Sequence, residues 1–277
     1  MPRRSGGGLV WVWWVLAIAV FVPLVRGLTS ARHARSAAPD PVESSAYYVS
    51  EVEEGIGAAV AILVDTSGSM SEAAPGGGGR PKFEVARQAL EKVVSATDTF
   101  VKRRPDVPIK LAIYGFASAP WVVYPLQPYD GAAVKQALAR LPAPGGGTAI
   151  GNALLEARPA LYRSGVFRKH VVVITDGENT VGSAPERVAR DIFRKSRGAV
   201  SIHFIAFDTS PAHFGFLSEV GGEVLAAQDA SSLQLALTQI YEGRILAEAM
   251  EYGEVAPPAA AGPTSGQEPA PGAGRTR

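Results

Sequence analysis

The sequence has no cysteine and no dense basic stripe. Without cysteine, this chain of 277 residues can form neither a disulfide scaffold nor a thiolate metal site, and its redox compartment stays open. A nucleic-acid-binding surface would need basic residues interleaved with aromatic ones, and no segment has that pattern. We therefore predict no nucleic-acid partner.

Signatures of catalysis are missing as well. The glycine run Gly76–Gly79 is not followed by Gly-Lys-Ser/Thr, which excludes a phosphate-binding loop. Neither Ser67 nor Ser69 has a histidine beside it in sequence, although pairing in space stays open. The four histidines are scattered without ligand spacing: His33, His170, His203 and His213. We predict that the protein is not an enzyme.

The amino-terminal segment is the one long apolar stretch. Residues 5–25 carry no charge, and Leu9–Val25 is apolar throughout apart from Pro23. At about 1.5 Å per residue this stretch is just long enough to cross a hydrocarbon core. We expect residues 1–26 to form a single-pass membrane anchor; the alternative is a signal segment cleaved near Ser36-Ala37-Ala38, which would release a secreted protein.

Charge does not settle the orientation of this anchor, because Arg3 and Arg4 on one side compete with three arginines on the other. A short amino-terminal anchor with no second apolar span resembles an export signal that has been kept. We therefore expect the rest of the protein to be extracytoplasmic, either periplasmic or at the cell surface. Residues 27–55 contain Pro39, Pro41 and small polar residues, a composition that indicates a linker.

Four short apolar runs rich in β-branched or aromatic residues predict the strands of a central sheet: Ala58–Val64, Ile109–Phe116, His170–Thr175 and Val200–Phe207. Three are almost unbroken, as expected of strands buried on both faces in a parallel sheet. Amphipathic segments between them predict helices: Phe83–Val101, Ala132–Leu141, Ile150–Tyr162 and Pro185–Arg197. This alternation predicts a doubly wound, Rossmann-like α/β domain with a mostly parallel sheet.

The remaining segments complete this domain over residues 56–245. Trp121–Leu126 is predicted to be an antiparallel edge strand, and a last strand is expected near Glu223–Ala226. A closing helix should run from about Ser231 to Tyr252. Residues 253–277 are dominated by Pro, Ala and Gly, which predicts a disordered tail.

The most informative motif is Asp65-Thr66-Ser67-Gly68-Ser69, at the end of the first apolar run. Alternate side chains of an extended segment point the same way, so Asp65, Ser67 and Ser69 can face one point. A carboxylate and two hydroxyls are hard donors that suit Mg²⁺ or Mn²⁺, with Ca²⁺ a weaker fit. The motif alone also has a simpler interpretation, in which Asp65 caps the loop and the serines satisfy local backbone donors.

Two further fragments fall at the same predicted edge of the sheet. Gly145-Gly146-Gly147-Thr148 precedes a helix, and Thr175-Asp176-Gly177 follows a strand. Asp-x-Ser-x-Ser, a glycine-rich loop bearing Thr and a strand ending in Thr-Asp-Gly occur here in order, and the chain resembles the von Willebrand factor A domain family over roughly residues 56–245. For Thr148 the simpler interpretation is a helix N-cap.

The resemblance implies a metal-ion-dependent adhesion site. Its hydroxyl ligands would be Ser67, Ser69 and Thr148, while Asp65 and Asp176 would reach the ion directly or through water. Mg²⁺ is seldom enclosed wholly by protein, so one coordination position would remain for an outside ligand. The expected partner is a protein that supplies an Asp or Glu carboxylate.

The closing helix suggests a second hypothesis. Its segment Gln239-Ile240-Tyr241-Glu242-Gly243-Arg244 is similar to the closing helix of bacterial membrane-associated A-domain proteins of the aerotolerance, or Bat-like, type. Those proteins often work with MoxR-type AAA+ ATPases. The resemblance therefore implies an alternative role as an adaptor for such an ATPase in the assembly or maturation of membrane or metalloenzyme complexes.

Overall fold

The computed structural model describes residues 54–254. The predicted anchor, nearly all of the predicted linker and the tail beyond Glu254 lie outside these residues. Within residues 54–254, no helix is both long enough and apolar enough to cross a membrane.

One six-stranded sheet forms the centre of the described chain. Its strands are β1 (Gly55–Asp65), β2 (Ile109–Phe116), β3 (Pro120–Pro128), β4 (Val166–Thr175), β5 (Val200–Phe207) and β6 (Glu223–Ala227). Their spatial order is β3-β2-β1-β4-β5-β6. All neighbours pair in parallel except β3, which runs antiparallel to β2 at the edge. The predicted mostly parallel sheet with an antiparallel edge strand is confirmed.

Strand β1 is central because it is apolar on both faces, and residues 57–65 are buried without interruption. From β1 the chain first extends the sheet through β2 and β3, and then returns to add β4 on the other side. The strand order therefore reverses between β1 and β4. In open α/β sheets, ligands bind outside the carboxyl ends of the strands at such a reversal.

Helices cover both faces of the sheet. They are α1 (Lys82–Arg103), α2 (Gly131–Leu138), α3 (Ile150–Tyr162), α4 (Pro185–Ser196), α5 (Ala230–Ile240) and α6 (Ala247–Glu254). Helices α1, α2, α5 and α6 enclose the main hydrophobic core with one face of the sheet. Helices α3 and α4 pack against each other and against strands. The helices begin and end within a few residues of the sequence prediction.

Three helical segments were not predicted. A 3₁₀ turn forms at Gly68–Ser71, directly after β1, and a longer 3₁₀ segment spans Pro211–Val220. The predicted closing helix is continuous, but Tyr241–Leu246 within it is π-helical and connects α5 to α6. The buried Tyr241 hydroxyl accepts a hydrogen bond of 2.9 Å from Thr97 of α1, which anchors this irregular turn to the core.

Candidate metal centre

Asp65, the last residue of β1, is fully buried and held from two sides. Its Oδ1 accepts a 2.7 Å hydrogen bond from the Ser67 amide, and its Oδ2 accepts one of 2.6 Å from the Thr175 hydroxyl at the end of β4. Burial raises the pKa of Asp65 to about 6, although the hydrogen bonds from Thr175 and Ser67 favour the charged form. Asp65 Oδ1 thus does cap the loop, as the simpler interpretation predicts. Both hydrogen-bond donors are neutral, so neither compensates the charge of the carboxylate.

Ser67 and Ser69 lie in the 3₁₀ turn that follows β1. Ser67 is its N-terminal flanking residue and makes no side-chain cap. The Ser67 and Ser69 hydroxyl oxygens are 3.2 Å apart, and Ser69 donates a 2.7 Å hydrogen bond to Asp176 Oδ1. Four of the five predicted ligands, Asp65, Ser67, Ser69 and Asp176, therefore lie in one hydrogen-bonded cluster at the carboxyl ends of β1 and β4.

The fifth predicted ligand, Thr148, reaches this edge through its loop. The Gly145 amide donates to the Thr66 carbonyl at 2.8 Å, and the Gly68 amide donates to the Gly146 carbonyl at 3.1 Å. Gly146 has a φ of +83°, a conformation that favours glycine. The glycine-rich loop is thereby tied to the loop that carries Ser67 and Ser69.

The side chain of Thr148 does not serve as a helix cap. The N-terminal flanking residue of α3 is Ala149, which makes no side-chain cap. The Thr148 amide donates instead to the Thr180 hydroxyl at 2.8 Å, and Thr148 is almost fully buried. The helix-cap interpretation is therefore wrong for this residue.

Lys82 is a residue of this site that sequence reasoning missed. It opens α1, is 4% exposed, and places its Nζ 3.0 Å from Asp208, 3.1 Å from Glu72 and 3.1 Å from Asp176 Oδ2. Burial by itself would lower the pKa of Lys82, but hydrogen bonds to Asp208, Asp176 and Glu72 outweigh burial and raise it. The ammonium is therefore a permanent positive charge beside one predicted metal ligand.

Asp208, one of the carboxylates around Lys82, was not identified from the sequence either. It follows β5, just as Asp176 follows β4, so both arrive at the same edge of the sheet. The sequence does show a lysine at a helix start after a glycine run, and an aspartate directly after each of two strands. The cluster could not be recognised from these features, because Glu72, Asp176 and Asp208 are far apart in sequence.

The donor chemistry of this edge suits a hard divalent cation. Among residues 54–254, no group of three or more His, Cys, Asp or Glu is arranged to hold a metal ion. The five predicted ligands would not form such a group, since they combine three neutral hydroxyls with two carboxylates. Oxygen donors of this kind match Mg²⁺, which usually keeps waters and is bound by only one or two carboxylates. The residues therefore fit the ion.

Solvent reaches this site at Gly68 and Ser69. Gly68 and Ser69 are partly exposed, whereas Asp65 and Asp176 are buried. Nearby, the Glu178 side chain is 67% exposed and lies 3.3 Å from the Nε2 of His213. A group from another molecule could thus approach the site at Ser69 without displacing the buried carboxylates.

A mostly parallel α/β sheet whose strand order reverses at a cluster of hydroxyls and carboxylates defines the described chain as a doubly wound α/β domain. The family model of the von Willebrand factor type A domain matches residues 59–237 of this chain. The chain belongs to this family, and the resemblance seen in the sequence is confirmed.

Relatives and solved structures agree with this assignment. The uncharacterized protein YwmC of Bacillus subtilis (strain 168) is 26% identical over 206 residues, which cover 68% of this chain and 85% of YwmC. BatB from Bacteroides thetaiotaomicron superposes with a TM-score of 0.55 at 20% identity, covering 69% of this chain and 100% of BatB. The PilB minor pilin from Streptococcus sanguinis gives a TM-score of 0.57 at 14% identity, covering 71% of this chain and 63% of the pilin, just under two thirds of its length. At these identities the structural likeness shows the fold.

Proposed function

We propose that this protein is a membrane-anchored binding module that uses a divalent cation to capture an acidic residue of a partner protein. Domains of this family are generally non-enzymatic protein-interaction modules and commonly carry a metal-ion-dependent adhesion site. The observation that carries the proposal is the hydrogen-bonded cluster of Asp65, Ser67, Ser69 and Asp176 at the sheet edge, with the Thr148 loop tied to it.

Each residue has a distinct role in this proposal. The hydroxyls of Ser67, Ser69 and Thr148 bind Mg²⁺, or Mn²⁺, directly, while Asp65 and Asp176 reach it directly or through water. The bound ion supplies a positive charge with one open coordination position. Because three of the five protein donors are neutral, much of that charge remains available to attract an Asp or Glu carboxylate from the partner.

The proposed location follows from the sequence. The apolar segment 1–26 anchors the protein, and the binding domain is extracytoplasmic, so the partner is a periplasmic or cell-surface protein. A cleaved signal and a secreted protein are the alternative. Both locations place the metal site where extracytoplasmic Mg²⁺ reaches it.

Isothermal titration of Mg²⁺ into the full chain, purified in mild detergent and stripped of metal, tests the cation site. We expect saturable binding by the wild type and binding at least about tenfold weaker in Asp65→Asn, since loss of one anionic ligand or of its outer-shell support has that effect. Glu178→Gln removes an exposed nearby carboxylate and should bind like the wild type. Equal binding by wild type and Asp65→Asn would overturn the site.

Crosslinking in membranes tests the partner. A photoreactive residue at position 178 lies on the exposed rim near the site and should crosslink an extracytoplasmic protein with Mg²⁺ but not with EDTA or in Asp65→Asn. Mapping the crosslink should then show an Asp or Glu at the contact. Metal-independent recovery of a cytoplasmic AAA+ ATPase would instead support the adaptor hypothesis and overturn the proposed orientation.

A further inference from the structure

We propose that Lys82 is a positioning residue that sets the cation preference of this site, because it lets Asp176 offer only one carboxylate oxygen to a metal. The inference rests on the proposed cation site and concerns which ion that site accepts. It predicts that Lys82 favours Mg²⁺ over Ca²⁺ without touching either ion.

Both oxygens of Asp176 are already committed. Its Oδ1 accepts the Ser69 hydroxyl at 2.7 Å, and its Oδ2 contacts the Lys82 ammonium at 3.1 Å. The Asp176 side chain is fully buried, so bulk water does not compete with either partner in the metal-free protein. A cation that bridged the two oxygens would have to lie close to the lysine charge and be repelled by it.

Both oxygens of Asp65 also accept hydrogen bonds, but from neutral donors. Its Oδ1 accepts the Ser67 amide and its Oδ2 accepts the Thr175 hydroxyl. Ca²⁺ takes six to eight oxygens at about 2.3–2.6 Å and often binds a carboxylate through both oxygens, whereas Mg²⁺ prefers six at about 2.0–2.1 Å. A carboxylate oxygen that accepts one hydrogen bond keeps a second lone pair. The lysine charge is therefore what keeps Asp176 from binding an ion through both oxygens, and the site then favours the smaller ion.

Lys82 is itself held firmly enough to have this effect. Its amide donates to the Glu72 carbonyl at 2.8 Å, which fixes the start of α1. Its ammonium contacts Glu72 at 3.1 Å and Asp208 at 3.0 Å as well as Asp176. Contacts with Glu72 and Asp208 thus hold the ammonium against Asp176 Oδ2.

The test compares Mg²⁺ and Ca²⁺ affinities by isothermal titration of the full chain. Lys82→Met should let Asp176 chelate, so the ratio of Ca²⁺ to Mg²⁺ affinity should rise about tenfold. Lys82→Arg keeps a cation at this position and should stay near the wild-type ratio. The matched control is Lys195→Met, because Lys195 is also buried and contacts the buried Asp191 at 3.1 Å, on α4. It should leave the ratio unchanged.

A change of both affinities by one factor in Lys82→Met would overturn the inference, because a general charge or stability effect does not alter the ratio. If Lys82→Met fails to fold, Asp208→Asn loosens the lysine without removing it and should shift the ratio in the same direction by a smaller factor. An unchanged ratio in Asp208→Asn would then overturn the inference. A wild-type chain that binds no Mg²⁺ would overturn the proposed function and this inference together; unchanged selectivity in a chain that binds Mg²⁺ overturns the inference alone.

Discussion

Strand β4 carries two buried polar clusters that treat charge in opposite ways. At its carboxyl end, the buried Asp176 contacts the ammonium of Lys82. Five residues before Thr175, and so about 16 Å back along the strand, the fully buried His170 faces His203 of β5 with 3.4 Å between Nδ1 and Nε2. In the cluster around Asp176 an ammonium compensates a carboxylate, whereas the cluster around His170 consists of two neutral rings.

The histidine cluster lies between the sheet and the closing helix. Glu223 of β6 is 3.5 Å from the Nδ1 of His203, and Glu248 of α6 is 3.9 Å from the Nε2 of His170. Neither of these ring nitrogens has a hydrogen-bond partner. Arg244 forms an ion pair with Glu223 at 3.2 Å, and Arg168 lies 3.8 Å from Glu248. Both histidines therefore remain neutral.

Burial decides the protonation of this cluster. It lowers the pKa of His170 to about 3, and the positive charges of Arg168 and Arg244 act in the same direction. Burial also lowers the pKa of His203, although Glu223 opposes it. The comparison shows that burial leaves Lys82 charged where three carboxylates contact its ammonium, and lowers the pKa of His170 where its Nε2 has no hydrogen-bond partner.

The largest expected effect is acid destabilisation through His170. Its pKa is about 3 when folded and about 6.5 when unfolded, so the unfolded state takes up the proton first and stability falls as the pH drops below 6.5. Between pH 7 and pH 4 this difference in pKa lowers the free energy of unfolding by about 3 kcal/mol. Denaturant unfolding at a series of pH values should show a shallower decline in His170→Leu. The exposed His213→Gln should follow the wild type; parallel curves for all three proteins would contradict neutral burial.

Asp176→Asn should destabilise the metal-free protein. It removes one of the carboxylates that compensate the buried Lys82, a loss that costs about 2–3 kcal/mol because Glu72 and Asp208 remain. Denaturant unfolding in EDTA at pH 7 measures this free energy. Glu178→Gln, which removes an exposed carboxylate, should change it by less than about 0.5 kcal/mol. A neutral or stabilising result would mean that Asp176 does not serve as a counter-ion.

Asp65→Asn should have the opposite sign under the same conditions. The pKa of Asp65 is raised from 3.8 to about 6, so its charged form reduces stability as the pH rises from 3.8 through 6. Removing the charge should stabilise the metal-free protein at pH 7 by about 2–3 kcal/mol. The amide can still accept from Ser67 and donate to Thr175. Saturating Mg²⁺ should stabilise the wild type more than the variant and so shrink this difference by about 1.4 kcal/mol or more. A variant that is less stable than the wild type in EDTA would show that the buried charge of Asp65 is not destabilising.

The smallest effect is expected at the surface. Arg190 and Glu219 pair at 2.8 Å with side chains 52% and 56% exposed. Exposed pairs contribute little, so Arg190→Ala should leave both the stability and the Mg²⁺ affinity close to the wild-type values. If Arg190→Ala lost as much stability as Asp176→Asn, buried and exposed charges would not differ in their contribution to the free energy of unfolding.

Local pattern predicted much of this fold. Strand β1 was recognisable because both of its faces are buried, and β3 because Pro120 and Pro125 limit pairing to an edge. The five predicted ligands come from three motifs, each short and contiguous. Motifs of that kind are visible in a single sequence.

Long-range contacts set the limit of that prediction. Lys82 looks like an ordinary solvent-facing residue at a helix start, and only the fold brings Glu72, Asp176 and Asp208 around it. The π-helical turn was invisible for a similar reason, since Tyr241 bonds to Thr97, far away in sequence. In both cases the decisive partner lies in another part of the chain.

In the proposed site, the hydroxyls of Ser67, Ser69 and Thr148 bind a divalent cation beside Asp65 and Asp176. Anomalous diffraction from crystals of the protein grown with Mn²⁺ locates such an ion. We expect one strong manganese peak within coordination distance of all three hydroxyls. A peak elsewhere, or none at saturating Mn²⁺, would overturn the site.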